Sequence, residues 1–408
     1  MDGELAAERL SAISTLSATE DGVTRLPWTP EHKAALGEIK RWMEDAGLAA
    51  ELDAAGTLVG RSPNPDDKPV ILMGSHQDSV PNAGRFDGIM GIALACLAAK
   101  RFKGRWEELS VGIEVLAFAD EEGVRFPTAL IGPRALAGTL DPKVFDMTDS
   151  EGVTMRTAMA AFGADADRAM TLRRDPVAIA GYLEAHIEQG PVLEAANVPI
   201  GIVTAICGIA RFNVTVTGET GHAGTVPMTG RRDALVGAAR LIGEINTRAL
   251  AEKNIRATVG TISVKPGAVN AVPAVVDFTL EVRADDDARR DRFANDVTAF
   301  AEETLSAAGL QVSISRTYEQ RAVPSDEDLM TALADAAEET GHAALRLMSG
   351  ATHDASAMAD LCPTAMLFIP CRAGVSHRPD EYADAVSMGA AVDVLEQTIE
   401  RISNRYEA

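Results

Sequence analysis

The sequence predicts an α/β protein: a mostly parallel sheet covered by helices, with a smaller α+β unit set into it. Three observations carry this. In the first half, short apolar runs that end abruptly in charge alternate with amphipathic segments of helical period, the rhythm of βαβ units. Over residues 212–323 the texture changes to two-residue alternation around two long helical patterns. Beyond it the first kind of signal resumes, as expected when one domain is inserted into another. The boundaries follow as 1–211 for the first part of the larger domain, 212–325 for the insert and 326–408 for the remainder.

In chain order, residues 29–46 read as a helix capped by Thr29, with Pro30 and Glu31 behind it. Residues 57–60 form a short strand and 69–73 a buried one, closed at once by a polar turn. Residues 88–100 make a helix packed through Ile92, Leu94, Cys96 and Leu97, and 109–119 a second buried strand that also ends in charge. Residues 177–189 read as a helix interrupted by Pro191. In the insert, strand 212–217, helix 233–247, strands 257–264 and 275–283, helix 287–308 and strand 310–318 give the order β-α-β-β-α-β of a ferredoxin-like unit. Helix 326–340, strand 365–369 and helix 387–404 complete the larger domain.

With 408 residues, 46% of them hydrophobic, the chain is long enough for more than one core. A formal net charge of -22 disfavours nucleic acid or an anionic membrane surface as partner. No apolar run reaches the length of a spanning helix, and residues 1–10 lack the apolar core of a secretory signal. Cys96, Cys207, Cys362 and Cys371 show no CxxC spacing and read as free buried thiols of a cytoplasmic protein.

Chemistry gathers beyond the strand ends, where open α/β sheets bind ligands. Of seven histidines, five lie in polar or Gly-rich settings: His76, His186, His222, His353 and His377. His76 opens His76-Gln77-Asp78 directly after a strand, so its imidazole suits a metal, with Asp78 polarising it from behind. Asp87 precedes a helix; it reads as an N-cap or as a carboxylate bridging two cations. Glu121 and Glu122 are adjacent acids at a strand end, costly to bury unless positive charge is supplied. One could coordinate while the other takes a proton from water. The wide spacing of these residues fits a catalytic metal set better than a structural zinc knuckle.

The motifs Gly74-Ser75-His76-Gln77-Asp78-Ser79, Gly84-Arg85-Phe86-Asp87-Gly88, Glu121-Glu122-Gly123-Val124-Arg125-Phe126, His186-Ile187-Glu188-Gln189-Gly190, Gly221-His222-Ala223-Gly224-Thr225 and Ser376-His377 occur in order. Together they resemble the amidohydrolase branch of the metallopeptidase family that includes aminoacylases and carboxypeptidases. Within it, the chain is most similar to N-carbamoyl-L-amino acid hydrolases, β-ureidopropionases and allantoate amidohydrolases, over residues 24–395. The resemblance implies a dinuclear metallohydrolase domain with an inserted dimerisation (lid) domain. His76, Asp87, Glu122, His186 and His377 would hold two divalent ions (Zn, Mn, Co or Ni), Asp87 bridging. It further implies Glu121 as general base, Asp78 as support, and His222 reaching a partner subunit's site in a homodimer. Gln189, Asn270 and Arg283 would contact a carboxylated amide or ureido substrate. Hydrolysis of an N-carbamoyl-L-amino acid is the expected reaction, with allantoate or N-acyl and aromatic-conjugated amino acids as alternatives. A silent binding protein on the same fold would leave gaps in the ligand set, and none is seen. Two positions depart from the pattern: Gln77 stands where Leu or Phe is usual, and Thr352 where Gly is common.

Overall fold

A computed structural model of the chain describes residues 1–64 and 67–407. It divides into two compact units, one of Met1–Thr204, Ser325–Leu347 and Thr352–Ala408, the other of Ala205–Pro324 and Met348–Ala351. The first six strands are β1 (Ala49–Leu52), β2 (Leu58–Arg61), β3 (Val70–His76), β4 (Gly112–Phe118), β5 (Ile179–Ile187) and β6 (Ile200–Ile206). The next five are β7 (Gly208–Thr217), β8 (Ile255–Thr258), β9 (Ile262–Lys265), β10 (Val275–Ala284) and β11 (Gln311–Gln320). The last are β12 (Val323–Pro324), β13 (Ala344–Ser349) and β14 (Thr364–Ile369).

At the centre of the first unit's sheet, β4, β3, β5 and β14 lie side by side and parallel. The flanks are antiparallel: β2 pairs β4, β1 pairs β2, and β6 pairs β14. Because the parallel strands are covered on both faces, they read as continuous apolar runs rather than alternating ones. Residues 177–189, expected to be helical, instead contain β5, buried at every position. Its Leu, Glu and Ala favour helix locally, but pairing to β3 on one side and β14 on the other overrides that weak preference.

The helix Ile89–Lys100 lies beneath the sheet with every residue but Lys100 buried. Gly91 permits the close approach: a Cβ there would stand 2.2 Å from the Ala185 carbonyl oxygen. Leu94 is fully enclosed, and its truncation to Ala would cost about 2–5 kcal/mol. The helix Pro30–Asp45 begins as expected at Thr29, whose hydroxyl accepts from the His32 amide. The helix Asp2–Ile13, which the acidic N-terminal segment gave no reason to expect, seats Ala6, Leu10 and Ile13 in the same core. Among the described residues no helix is long and apolar enough to cross a membrane.

The second unit has its own core and an antiparallel sheet in the order β11-β7-β10-β8, with β9 also paired to β10. The expected strand at 257–264 is two strands, β8 and β9, successive on one edge of β10. Along β10, Val276, Phe278, Leu280 and Val282 are buried in the core with residues of the helices Ala234–Ala251 and Asp287–Ala307. Asp277, Thr279, Glu281 and Arg283 therefore share the opposite face. All four cysteines are free and buried. Burial pushes the Cys96 and Cys362 thiols up to about 12 and Cys371 to about 11.

Candidate metal centre and active site

Four adjacent parallel strands deliver the proposed ligands from their carboxyl ends. His76 ends β3, Glu121 and Glu122 follow β4, His186 lies at the end of β5, and His377 follows β14. Asp87 comes from the loop before the helix Ile89–Lys100 and stands among them. Its Oδ1 is 3.1 Å from His186 Nε2 and 3.4 Å from His76 Nε2; its Oδ2 is 3.3 Å from His377 Nε2. Glu122 Oε1 lies 3.7 Å from that same His377 nitrogen. Two sets of donors thus share one carboxylate: His76, His186 and Asp87 on one side, His377, Glu122 and Asp87 on the other.

The surroundings orient the rings. His76 Nδ1 is 3.0 Å from the Asp78 carbonyl oxygen and His186 Nδ1 is 2.9 Å from that of Ile187. Each Nδ1–H donates there and so turns Nε2 toward Asp87, where it would be the ligand atom for an ion. The Gly88 amide lies 3.2 Å from His186 Nε2. Gly88 itself has φ +67, and a Cβ on it would lie 2.3–2.5 Å from the His76 ring. Only glycine fits this turn against the His76 imidazole.

Asp78 supports the site differently from the expected carboxylate–imidazole pair. Its carboxylate lies 3.9 Å from His76 Nδ1, while Oδ1 and Oδ2 accept from the amides of Glu121 and Glu122 at 3.1 and 3.2 Å. It therefore holds His76 through its carbonyl and the two glutamates through its side chain. Gln189, at φ +56, donates from Nε2 to Asp87 Oδ2 at 2.7 Å and to Ser376 Oγ at 3.1 Å.

Several residues of the site were given no role from the sequence, although His353 was among the candidate histidines. Glu381 Oε1 accepts from the Phe86 and Asp87 amides at 2.9 and 3.1 Å, and Ser376 Oγ donates to Asp87 Oδ2 at 2.8 Å and lies 3.1 Å from Glu381 Oε2. Glu184 accepts from Ser75 Oγ and the Ala355 amide, both at 2.9 Å. His353 meets the His186 ring edge-on with centroids 4.5 Å apart. Glu381 lies four residues after His377 in a loop of charged residues, but no local pattern marks which of those acids turns inward.

Charge concentrates here. Asp78, Asp87, Asp120, Glu121, Glu184, Asp354 and Glu381 are all buried, and Glu122 nearly so. Burial pushes Glu121 well above the usual carboxylate range, with Glu122, Asp354 and Asp78 adding to it against His76. Burial and the Asp87 charge raise Glu122 and Glu381 to about 7. Burial would raise Asp87 too, but the three imidazoles hold it well below its ordinary value. Its hydrogen bond to Asp87 lifts His377 to about 9.

The donor set fits divalent metal. Ligands about 2.0–2.1 Å from one tetrahedral ion stand about 3.3 Å apart, close to the separations around Asp87. Glu122 Oε1 is buried with no hydrogen-bond partner among the described residues, as expected of an oxygen meant for a cation. Mixed imidazole and carboxylate donors suit zinc, manganese, cobalt or nickel.

The other three expected site residues belong to the second unit. His222 is exposed; it bridges to Ala271, and its Nδ1 accepts from the Gly224 amide at 3.1 Å. The Asn270 carbonyl accepts from the Ala223 amide at 2.8 Å, so the two loops are joined. Arg283, on β10, donates from Nε to Glu281 at 2.7 Å and from Nη1 to the Gly350 carbonyl at 2.6 Å.

Metal-type ligands at the carboxyl ends of a parallel sheet, joined in sequence to an antiparallel α+β unit, define a metallohydrolase. The sequence matches peptidase family M20/M25/M40 over residues 72–401, and the chain belongs to that family. It is 38% identical to an allantoate deiminase of Arabidopsis thaliana, covering 94% of this chain and 80% of that protein. It is 37% identical to an N-carbamoyl-L-amino acid amidohydrolase of Geobacillus stearothermophilus, covering 98% of each. Among solved structures, a hydantoinase/carbamoylase family amidase from Burkholderia multivorans superposes with a TM-score of 0.89 at 32% identity, covering 98% of each chain.

Proposed function

We propose that this chain hydrolyses the carbamoyl C–N bond of N-carbamoyl-L-amino acids, giving the free amino acid, ammonia and carbon dioxide. The observation that carries the reading is Asp87, whose two oxygens face separate donor sets beside a buried glutamate that is not needed as a ligand. His76 and His186 would hold one divalent ion, Glu122 and His377 a second, and Asp87 both. When bound, the ions supply Lewis acidity and lower the pKa of water.

Glu121 takes a proton from the attacking water, its raised affinity for protons suiting it to the task. The C–N bond to the amino acid breaks as Glu121 returns that proton to the departing nitrogen. The carbamate so formed decays to ammonia and carbon dioxide. Asp78, through the amides of residues 121 and 122, holds Glu121 in place. Arg283 and Asn270 receive the substrate carboxylate, the guanidinium fork matching its two oxygens, and Gln189 contacts the substrate beside the metals. His222 of the partner subunit donates to the developing oxyanion in a cytoplasmic homodimer formed through the second unit.

The resemblance to an allantoate deiminase supports a second reading, hydrolysis of allantoate by the same groups. One experiment separates them. Protein stripped and reloaded with zinc, manganese, cobalt or nickel is assayed for ammonia and amine release from N-carbamoyl-L-amino acids, 3-ureidopropionate, allantoate and N-acyl amino acids. Fast ammonia release from N-carbamoyl-L-amino acids is expected. Preference for allantoate selects the second reading, and amine release without ammonia from acyl conjugates alone rejects both.

A further inference from the structure

Arg283 is not a free side chain. Glu281, two residues before it on the same face of β10, accepts from its Nε at 2.7 Å through Oε1. The other oxygen of Glu281 accepts from Arg211 Nε, also at 2.7 Å, and Arg211 is the cross-strand partner of Glu281 on β7. Glu281 is thus held from both sides. The Gly350 carbonyl, which also receives the Cys207 thiol at 3.2 Å, accepts from Arg283 Nη1 at 2.6 Å. The Arg283 and Glu281 side chains are 27% and 26% exposed. An ion pair so open to water contributes little to stability, which leaves orientation as its effect.

We propose that Glu281 is a positioning residue for Arg283: it fixes the guanidinium before substrate arrives and so sets the preference for carboxylated ureides. The inference rests on the substrate reading above. A long arginine loses much rotamer freedom on binding, and ordering it in advance removes that cost from the binding step. A ligand carboxylate then meets the N–H groups not turned toward Glu281 and Gly350. Because Glu281 reaches no reacting atom, its effect belongs in KM and not in kcat.

The test compares wild type and Glu281→Gln on an N-carbamoyl-L-amino acid and on the matching ureide without a carboxylate. Calorimetric binding of the ureido acid is followed alongside, and circular dichroism checks the fold. Glu281→Gln is expected to raise KM and weaken binding of the ureido acid by about tenfold, with kcat within twofold and the carboxylate-free ureide unaffected. Should that variant not fold, Glu281→Asp takes its place, with about a threefold shift in the same pattern. Unchanged or tighter binding, or equal loss on both substrates, overturns the positioning role while leaving the reaction assignment intact. A wild type that binds no ureido acid overturns the substrate reading and this inference with it.

Discussion

Asp87 shows how much one side chain does in this site. It faces three imidazoles and accepts from Gln189 and Ser376, so its position is over-determined before any cation arrives. Glu121 has fewer constraints, as would suit the proposed base, which gains and loses a proton. Glu121→Gln should keep two metal ions per chain by elemental analysis and lose turnover by about 10²–10⁴-fold; near-wild-type ammonia release would remove it as the base. Gly88→Ala tests the turn. With φ +67 and the His76 ring in the way, the variant should fold but bind metal substoichiometrically, and full loading would show that the turn tolerates a Cβ. His76, Asp87, Glu121, Glu122, His186 and His377, which the structure brings together, were legible as candidates because each sits in a short motif. Glu381 and Glu184 were not, because Glu381 meets the Phe86 amide across 295 positions of chain and Glu184 lies inside a buried strand.

At the scale of elements, legibility followed periodicity. The strands of the second unit alternate and were read within a few residues, apart from the break between β8 and β9. β5 was misread as helix because a strand buried on both faces has no alternation to display. The start of the helix Pro30–Asp45 offers a test of its own. The Trp28 amide donates to His32 Nδ1 at 2.8 Å, so the buried imidazole must be neutral there. Burial, helped by the nearby Arg25 charge, lowers its pKa to about 3. Unfolded, His32 titrates near pH 6.5 (about the free value) and binds the proton that the folded state refuses. Stability should therefore be full above about pH 6.5 and fall as pH drops toward 3, by a few kcal/mol. His32→Gln should flatten that part of the profile in denaturant titrations; an unchanged slope would assign it to other groups.

For the whole molecule, the two units have separate cores, and the proposed metal ligands all lie in the first. Chelation should lower the melting temperature by a few degrees, since an ion at a hundred times its Kd adds about 2.7 kcal/mol. Hydrogen exchange should report the change at the ends of β3, β4 and β5, with the β7 and β10 core amides unaltered. Faster exchange throughout the second unit would show that its stability also depends on the ions. The change of texture in the sequence has a physical cause, since an antiparallel sheet covered on one face and a parallel sheet covered on both require different patterns.

The four cysteines have a practical consequence. Each thiol is buried and, for Cys96, Cys362 and Cys371, burial keeps it protonated well past neutral pH, so a maleimide at pH 7 meets an almost inert native surface. A cysteine introduced at exposed Val177 in the first unit and another at exposed Leu250 in the second would take a donor–acceptor dye pair without removing any native cysteine. The wild-type chain would then serve as its own unlabelled control, and energy transfer would follow the two units in solution as substrate and metal are added.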